Sequence, residues 1–157
     1  MLKFIYIADY IYNEFVYFAG FWIIYMYRRK IYNKIKDWKD QRQGRTALLI
    51  EGARRVGKST VVEEFARREY ESYILIDFAS CRKATRDLFS DISDLDFFFL
   101  QLQTQTGIRL IERKSLIIFD EVQLCPQARQ AIKYLVRDNR YDYIETGSLI
   151  SLTSSPL

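Results

Sequence analysis

Histidine is absent from this chain of 157 residues. That removes histidine acid–base catalysis, Ser–His and Cys–His nucleophile pairs, and most catalytic zinc sites. Cysteine is nearly absent, with Cys81 and Cys125 far apart in sequence. Two thiols cannot complete an all-cysteine zinc site, and they read most simply as reduced thiols in a cytosolic protein. Two prolines and six glycines are too few for a long disordered linker, and no internal repeat is visible. With 49% hydrophobic and 28% charged residues, the chain suits one soluble domain with its own core. The net charge of +4 admits a nucleic-acid contact without arguing for one.

Composition breaks near residue 27. Residues 1–27 hold 11 of the 25 aromatic residues, and residues 28–45 hold eight Lys/Arg against two Asp. Three readings stand for residues 1–25. One is a membrane-associated helix, since "FVYFAGFWIIYMY" is uncharged and is followed by Arg28, Arg29 and Lys30. A span needs about 20 apolar residues, however, and extending it backwards takes in Glu14, Asn13 and Asp9. The second is a dispensable extension, with the domain starting at Met26. The third is a packed accessory helix. A signal peptide is set aside, because Lys3 alone makes a poor basic region and no small-residue cleavage site follows. Residues 28–45 read as a basic amphipathic helix, with Ile31, Ile35 and Trp38 on one stripe.

From Thr46 onward, strand and helix patterns alternate. "TALLIE" (46–51), "YILIDF" (73–78), "SLIIFDE" (115–121) and "YDYIETGS" (141–148) read as strands. Helices are expected after Lys58, over 94–107 between Asp94 and Gly107 as caps, and over 126–138 with Pro126 in the first turn. This alternation argues for an α/β fold with a parallel sheet.

The segment Gly52-Ala53-Arg54-Arg55-Val56-Gly57-Lys58-Ser59 fits G-x-x-x-x-G-K-[ST], the P-loop or Walker A pattern. Such a loop turns its backbone N–H groups around a phosphate, and the helix behind it adds the positive end of its dipole. The candidate nucleotide-binding set is Gly52, Arg54, Arg55, Val56, Gly57, Lys58, Ser59 and Thr60. Lys58 would bridge the terminal phosphates, and Ser59 would offer a hydroxyl to Mg2+. A chance glycine-bounded turn is the alternative, but the apolar strand before the loop and the amphipathic helix after it favour the phosphate reading. Further on, Asp120 and Glu121 follow four apolar residues, which makes a Walker B-type strand end. Open α/β sheets bind ligands at that end. Asp120 would hold Mg2+ through water, Glu121 would polarise the attacking water, and Gln123 would orient either of them. Thr146 or Ser148, in "ETGS", would meet the γ-phosphate or the water. A GTPase would need Asn-Lys-x-Asp, but Asn33-Lys34 precedes the loop and has Lys36 in place of Asp. The paired acids also favour water over the substrate hydroxyl of a small-molecule kinase.

In this order and at these separations, "LLIEGARRVGKST", "SLIIFDEVQ" and "YIETGS" resemble the AAA domain of prokaryotic ATP-binding proteins, from about Tyr27 to Leu152. The resemblance implies a P-loop NTPase three-layer sandwich over residues 46–157, with N-terminal helices before it. Its strands, counted in the order given above, would lie 1-4-3-2. It implies Lys58 and Ser59 as phosphate and Mg2+ ligands, Asp120 and Glu121 as the Mg2+ and water-activating acids, and Thr146 or Ser148 as sensor. Members continue into a further strand, helices and a nuclease-like C-terminal domain. The core is therefore expected to be truncated after Leu157, with the P-loop strand left as a sheet edge. No Lys or Arg follows Arg140 to serve as an arginine finger. The implied function is ATP binding, with Mg2+-dependent hydrolysis in the full-length form. The alternatives are a nucleotide-binding interaction module, a truncated fragment with little or no turnover, or a membrane-tethered form of either. Self-association or a protein partner stays open.

Overall fold

The computed structural model describes residues 3–6 and 20–148, with side chains from residue 30 onward. In chain order the elements are β1 (Lys3–Tyr6), α1 (Gly20–Arg42), β2 (Leu48–Gly52), α2 (Lys58–Glu69), β3 (Ser72–Asp77), α3 (Lys83–Asp87), α4 (Leu95–Thr106), β4 (Ser115–Asp120), α5 (Pro126–Asp138) and β5 (Asp142–Ser148). Short 3-10 turns at Leu88–Ser90 and Val122–Leu124 precede α4 and α5.

Local chemistry sets several of these boundaries. Asp94 caps α4 by accepting from the backbone N–H of Phe97 at 2.9 Å. Gly107 ends that helix at φ 68°, its N–H donating to the Gln103 carbonyl at 2.8 Å. A left-handed residue there is the usual helix stop, and glycine adopts it without a Cβ penalty. Pro126 opens α5, where its missing N–H has no helical partner to lose. Helix α1 starts earlier than the expected residue 28. From Gly20 to Arg42 it has no internal proline or glycine to break it, so it runs through the composition change.

All strand pairs are parallel, in the order β1-β2-β5-β4-β3. The four strands read from the sequence thus lie in the expected order, with the Thr-Gly-Ser strand between the P-loop strand and the acid-bearing strand. The expected open edge at the P-loop strand is corrected. Lys3–Tyr6 pairs with Leu48–Glu51 in parallel register. An edge strand presents a row of unpaired backbone groups, and β1 supplies the missing partners. These four residues belong to the segment read as a dispensable extension, a membrane-associated helix or a packed accessory helix, and they form a strand instead. Residues 7–19, which the membrane reading needs, lie outside the described residues. Among the described residues no helix is long and apolar enough to cross a membrane.

Two apolar layers sandwich the sheet. On one face Ile31, Ile35 and Trp38 of α1 join Val61, Val62, Phe65 and Ala66 of α2 over Leu48, Ile50, Ile118 and Ile144. On the other face Phe98, Phe99 and Leu102 of α4 and Ala128, Ile132 and Leu135 of α5 cover Leu49, Ile117, Phe119 and Tyr143. Both faces of β2, β4 and β5 are therefore dry, which explains their near-continuous apolar runs. Phe65 is fully buried at the centre of its layer, and its truncation to alanine would cost about 3–5 kcal/mol.

A chain begun at Met26 lacks β1 and bares the β2 edge. It should melt earlier than the full chain and self-associate, as read by thermal melting and light scattering on a sizing column. An unchanged melting temperature and a clean monomer would show that β1 contributes nothing.

Candidate nucleotide site

The C-terminal ends of β2, β4 and β5 converge on one cluster. Gly52 is the last residue of β2. Gly57 precedes α2 at φ 85°, and a Cβ built there meets no atom within 4 Å. The position needs glycine for its backbone torsion, and the space above it is open. Arg55 also takes a left-handed φ of 64°, a strained choice for a side chain with a Cβ. Gly52 does not share this conformation, since the positive-φ glycines are Gly44, Gly57 and Gly107. Arg54, Arg55 and Thr60 are exposed, and Val56 packs on the α1–α2 layer.

Lys58 is buried, at 5% exposure. Its Nζ donates to the carbonyls of Gly52 at 3.1 Å and Ala53 at 2.7 Å. Burial pushes its pKa down and Arg54 adds to this, whereas Glu121 and Asp120 act the other way. With two of its three N–H donors on carbonyls, the ammonium has one left for a further acceptor.

Asp120 is the hub of the cluster. Its Oδ1 accepts from Ser59 Oγ at 2.8 Å and from Thr146 Oγ1. Thr146 Oγ1 in turn accepts from the backbone N–H of Glu121 at 3.3 Å. Thr146 is fully buried, and its hydroxyl links the Asp120 carboxylate to the Glu121 backbone. Glu121 sits at φ 52°, ψ 46°, a costly conformation for a non-glycine residue and one that is frequent at functional sites. Gln123 Nε2 donates to Glu121 Oε2. Ser148 Oγ lies 3.3 and 3.2 Å from the two Glu121 carboxylate oxygens and donates to them. The structure thus brings together Lys58, Ser59, Asp120, Glu121, Gln123, Thr146 and Ser148, residues spread over 91 positions of the chain.

Residues 44–157 match the family model described as AAA domain. The chain belongs to the AAA domain family. That assignment covers the larger part of the chain and carries nucleotide binding with it. No curated protein matches the chain.

One residue beside this AAA site was not singled out from the sequence. Glu145, on β5 next to Thr146, is fully buried, and neither carboxylate oxygen has a hydrogen-bond partner. Its strand neighbours in register are Leu49 and Phe119. Burial raises its pKa to about 7. Glu51 pushes the same way, and Arg129 opposes it. Nothing in the sequence marked it, because its burial depends on helices covering both faces of β5. Asp142, on the same strand, differs. It is buried but accepts from Tyr70 at 2.6 Å and Arg113 at 2.8 Å.

The Glu145 carboxyl makes stability depend on pH. Its unfolded form ionises near 4.5 and its folded form near 7, so the folded state binds the extra proton between them. Stability is highest below the unfolded value, falls as pH rises through this window, and levels off above it. The loss is at most roughly 3 kcal/mol. Glu145→Gln should flatten that decline, read from denaturant midpoints between acid and mildly alkaline pH. An identical decline in the variant would remove Glu145 as its source.

Proposed function

We propose that this AAA domain binds ATP with Mg2+ and hydrolyses it through water activated at Glu121. The observation that carries this reading is the 2.8 Å bond between Ser59 Oγ and Asp120 Oδ1. It joins the first turn after the loop to the end of a strand 61 positions away. A hydroxyl and a carboxylate are hard oxygen donors of the kind Mg2+ takes beside substrate phosphates. The open space over Gly57 and the Lys58 ammonium beside the loop carbonyls fit the phosphates themselves. When bound, the metal neutralises charge developing on the phosphate oxygens.

The chain's own residues supply the rest. The loop amides over 54–60 and the start of α2 bind the phosphates. Lys58 exchanges the Gly52 and Ala53 carbonyls for phosphate oxygens. Ser59 and Asp120 hold the metal, and Thr146 keeps Asp120 and Glu121 in register. Glu121 accepts the proton of the attacking water. Ser148 and Gln123 set the direction of its carboxylate.

A second reading is a nucleotide-binding module with slow turnover. Its specific support is the occupancy of Glu121: Gln123 and Ser148 already donate to the carboxylate, which leaves fewer of its lone pairs for a water. Arg54 and Arg55 are the only arginines in the loop, and no Lys or Arg follows Arg140. A charge-stabilising arginine, worth about 10³–10⁵ in rate in related enzymes, is not among the residues that the described structure gathers around Asp120 and Glu121.

Lys58→Ala should weaken ATP binding at least tenfold in calorimetric titration with Mg2+, because no other side chain of the loop is both cationic and buried. Unchanged affinity would sink the nucleotide assignment. Glu121→Gln should retain affinity while phosphate release falls by about 10²-fold or more. If phosphate release is negligible in both proteins, the slow-turnover reading stands.

A further inference from the structure

At the opposite end of the sheet from this site lies a concavity of about 400 Å³ lined by Arg45, Lys133, Val136, Arg137 and Asn139. We propose that it binds the phosphate backbone of single-stranded nucleic acid, with Tyr134 as a stacking platform for a base.

The charge there is not accounted for by the fold. Nearby cations have carboxylate partners: Arg113 pairs with Asp142, Lys114 with Glu71, and Arg140 with Asp96 and Asp138. Among the described residues, Arg45, Lys133 and Arg137 have no acidic partner, and no acid lines the concavity. Lys133 and Arg137 stand four apart on α5, a like-charge spacing that weakens an isolated helix. Only Arg137 falls in the last turn, where a cation offsets the helix dipole. Lys133 has a ring contact but no carboxylate partner among the described residues. Asn139, which ends α5 at φ 61°, adds an amide to the rim.

An aromatic ring narrows the class of anion. Tyr134 is 49% exposed, among the largest exposed apolar side chains described. The Lys133 ammonium lies 4.7 Å from its ring centroid. Cations that track a backbone beside an exposed ring are the elements that hold a single strand without reading its sequence. A free phosphate or a lipid headgroup would use the cations and leave the ring idle.

The two walls also lead to the nucleotide site. Arg45 lies just before β2, and the other end of β2 is Gly52 at the start of the P-loop. Helix α5 carries Lys133 and Arg137, and it begins directly after the turn that holds Gln123 against Glu121. A strand seated between these walls touches the far ends of the two elements that carry the phosphate loop and the acid turn.

The test is fluorescence anisotropy of the full chain with a fluorescein-labelled oligothymidylate over a salt series. Binding is expected, with affinity falling as salt rises by about 0.7 log per log of salt for each phosphate contact. The double variant Lys133→Glu, Arg137→Glu should lose tenfold or more in affinity and flatten the salt slope, at an unchanged melting temperature. Tyr134→Ala should lose roughly fivefold with its salt slope kept. Lys58→Ala should bind the oligonucleotide as the parent does, so failure of the ATP reading and failure of this one are separable. The proposal is overturned by no binding, by binding that the double variant retains, by indifference to Tyr134→Ala, or by stronger capture on phosphatidylserine vesicles than on the oligonucleotide.

Discussion

The Asp120 carboxylate is the contact on which the rest of the site depends. It ends β4, which does not touch β2. The chain therefore has to bring the P-loop and the acids together across β5. It does so through two hydroxyls: Ser59 comes down from the first turn of α2, and Thr146 comes sideways from the neighbouring strand. The register pairs Phe119 with Glu145, so the next residues, Asp120 and Thr146, stand side by side. A slip of one residue would turn Thr146 to the opposite face. Strand order and register are thus part of the chemistry, because a directly paired β2 and β4 would leave no place for Thr146 between them.

Asp77 shows that a strand-end position alone does not bring an acid into the cluster. It ends β3 and pairs in register with Asp120. Its carboxylate accepts from the Ala79 N–H at 2.8 Å and from Ser80 Oγ at 2.6 Å, which closes its own turn. Asp120 has no such local partners and receives only donors from distant parts of the chain. Two acids at equivalent strand ends therefore differ in role because one is occupied by the loop after it. The same contrast separates Asp142 from Glu145 on β5. The first is satisfied by Tyr70 and Arg113 and acts as an anchor. The second is left without donors and keeps its proton into the neutral range.

The parts of this molecule legible in the sequence are those fixed by local chemistry. Asp94 and Gly107 mark both ends of α4, Pro126 marks the start of α5, and the glycine-bounded loop sits between a strand and a helix as expected. What was not legible rests on non-local geometry. Lys3–Tyr6 is four residues long, too short for an alternation pattern. Its role comes from pairing with β2, more than 40 positions later. The left-handed backbone of Glu121 has no glycine or asparagine to announce it. The burial of Glu145 follows from helices covering both faces of β5, whereas an acid in a strand read alone suggests a solvent-facing side. The choice between Thr146 and Ser148 was open in sequence. Here the two divide the work: Thr146 holds Asp120 and the Glu121 backbone, and Ser148 reaches the Glu121 carboxylate.

That division also fixes what surrounds Gly147. Thr146 and Ser148 sit two apart on one strand and face the same side of the sheet, with Gly147 between them facing the other. A Cβ on Gly147 would come within 3.3 Å of Gln123 Oε1, an oxygen that is buried without a donor. Gln123 thus occupies the space that a side chain at 147 would need, while its amide nitrogen holds Glu121. The unsatisfied oxygen keeps this arrangement from being a deep minimum, because a buried acceptor without a donor costs about 1–3 kcal/mol. Any shift that gives Gln123 Oε1 a donor draws the side chain away from Glu121 or turns its amide. The glutamate would then be left to Ser148 alone.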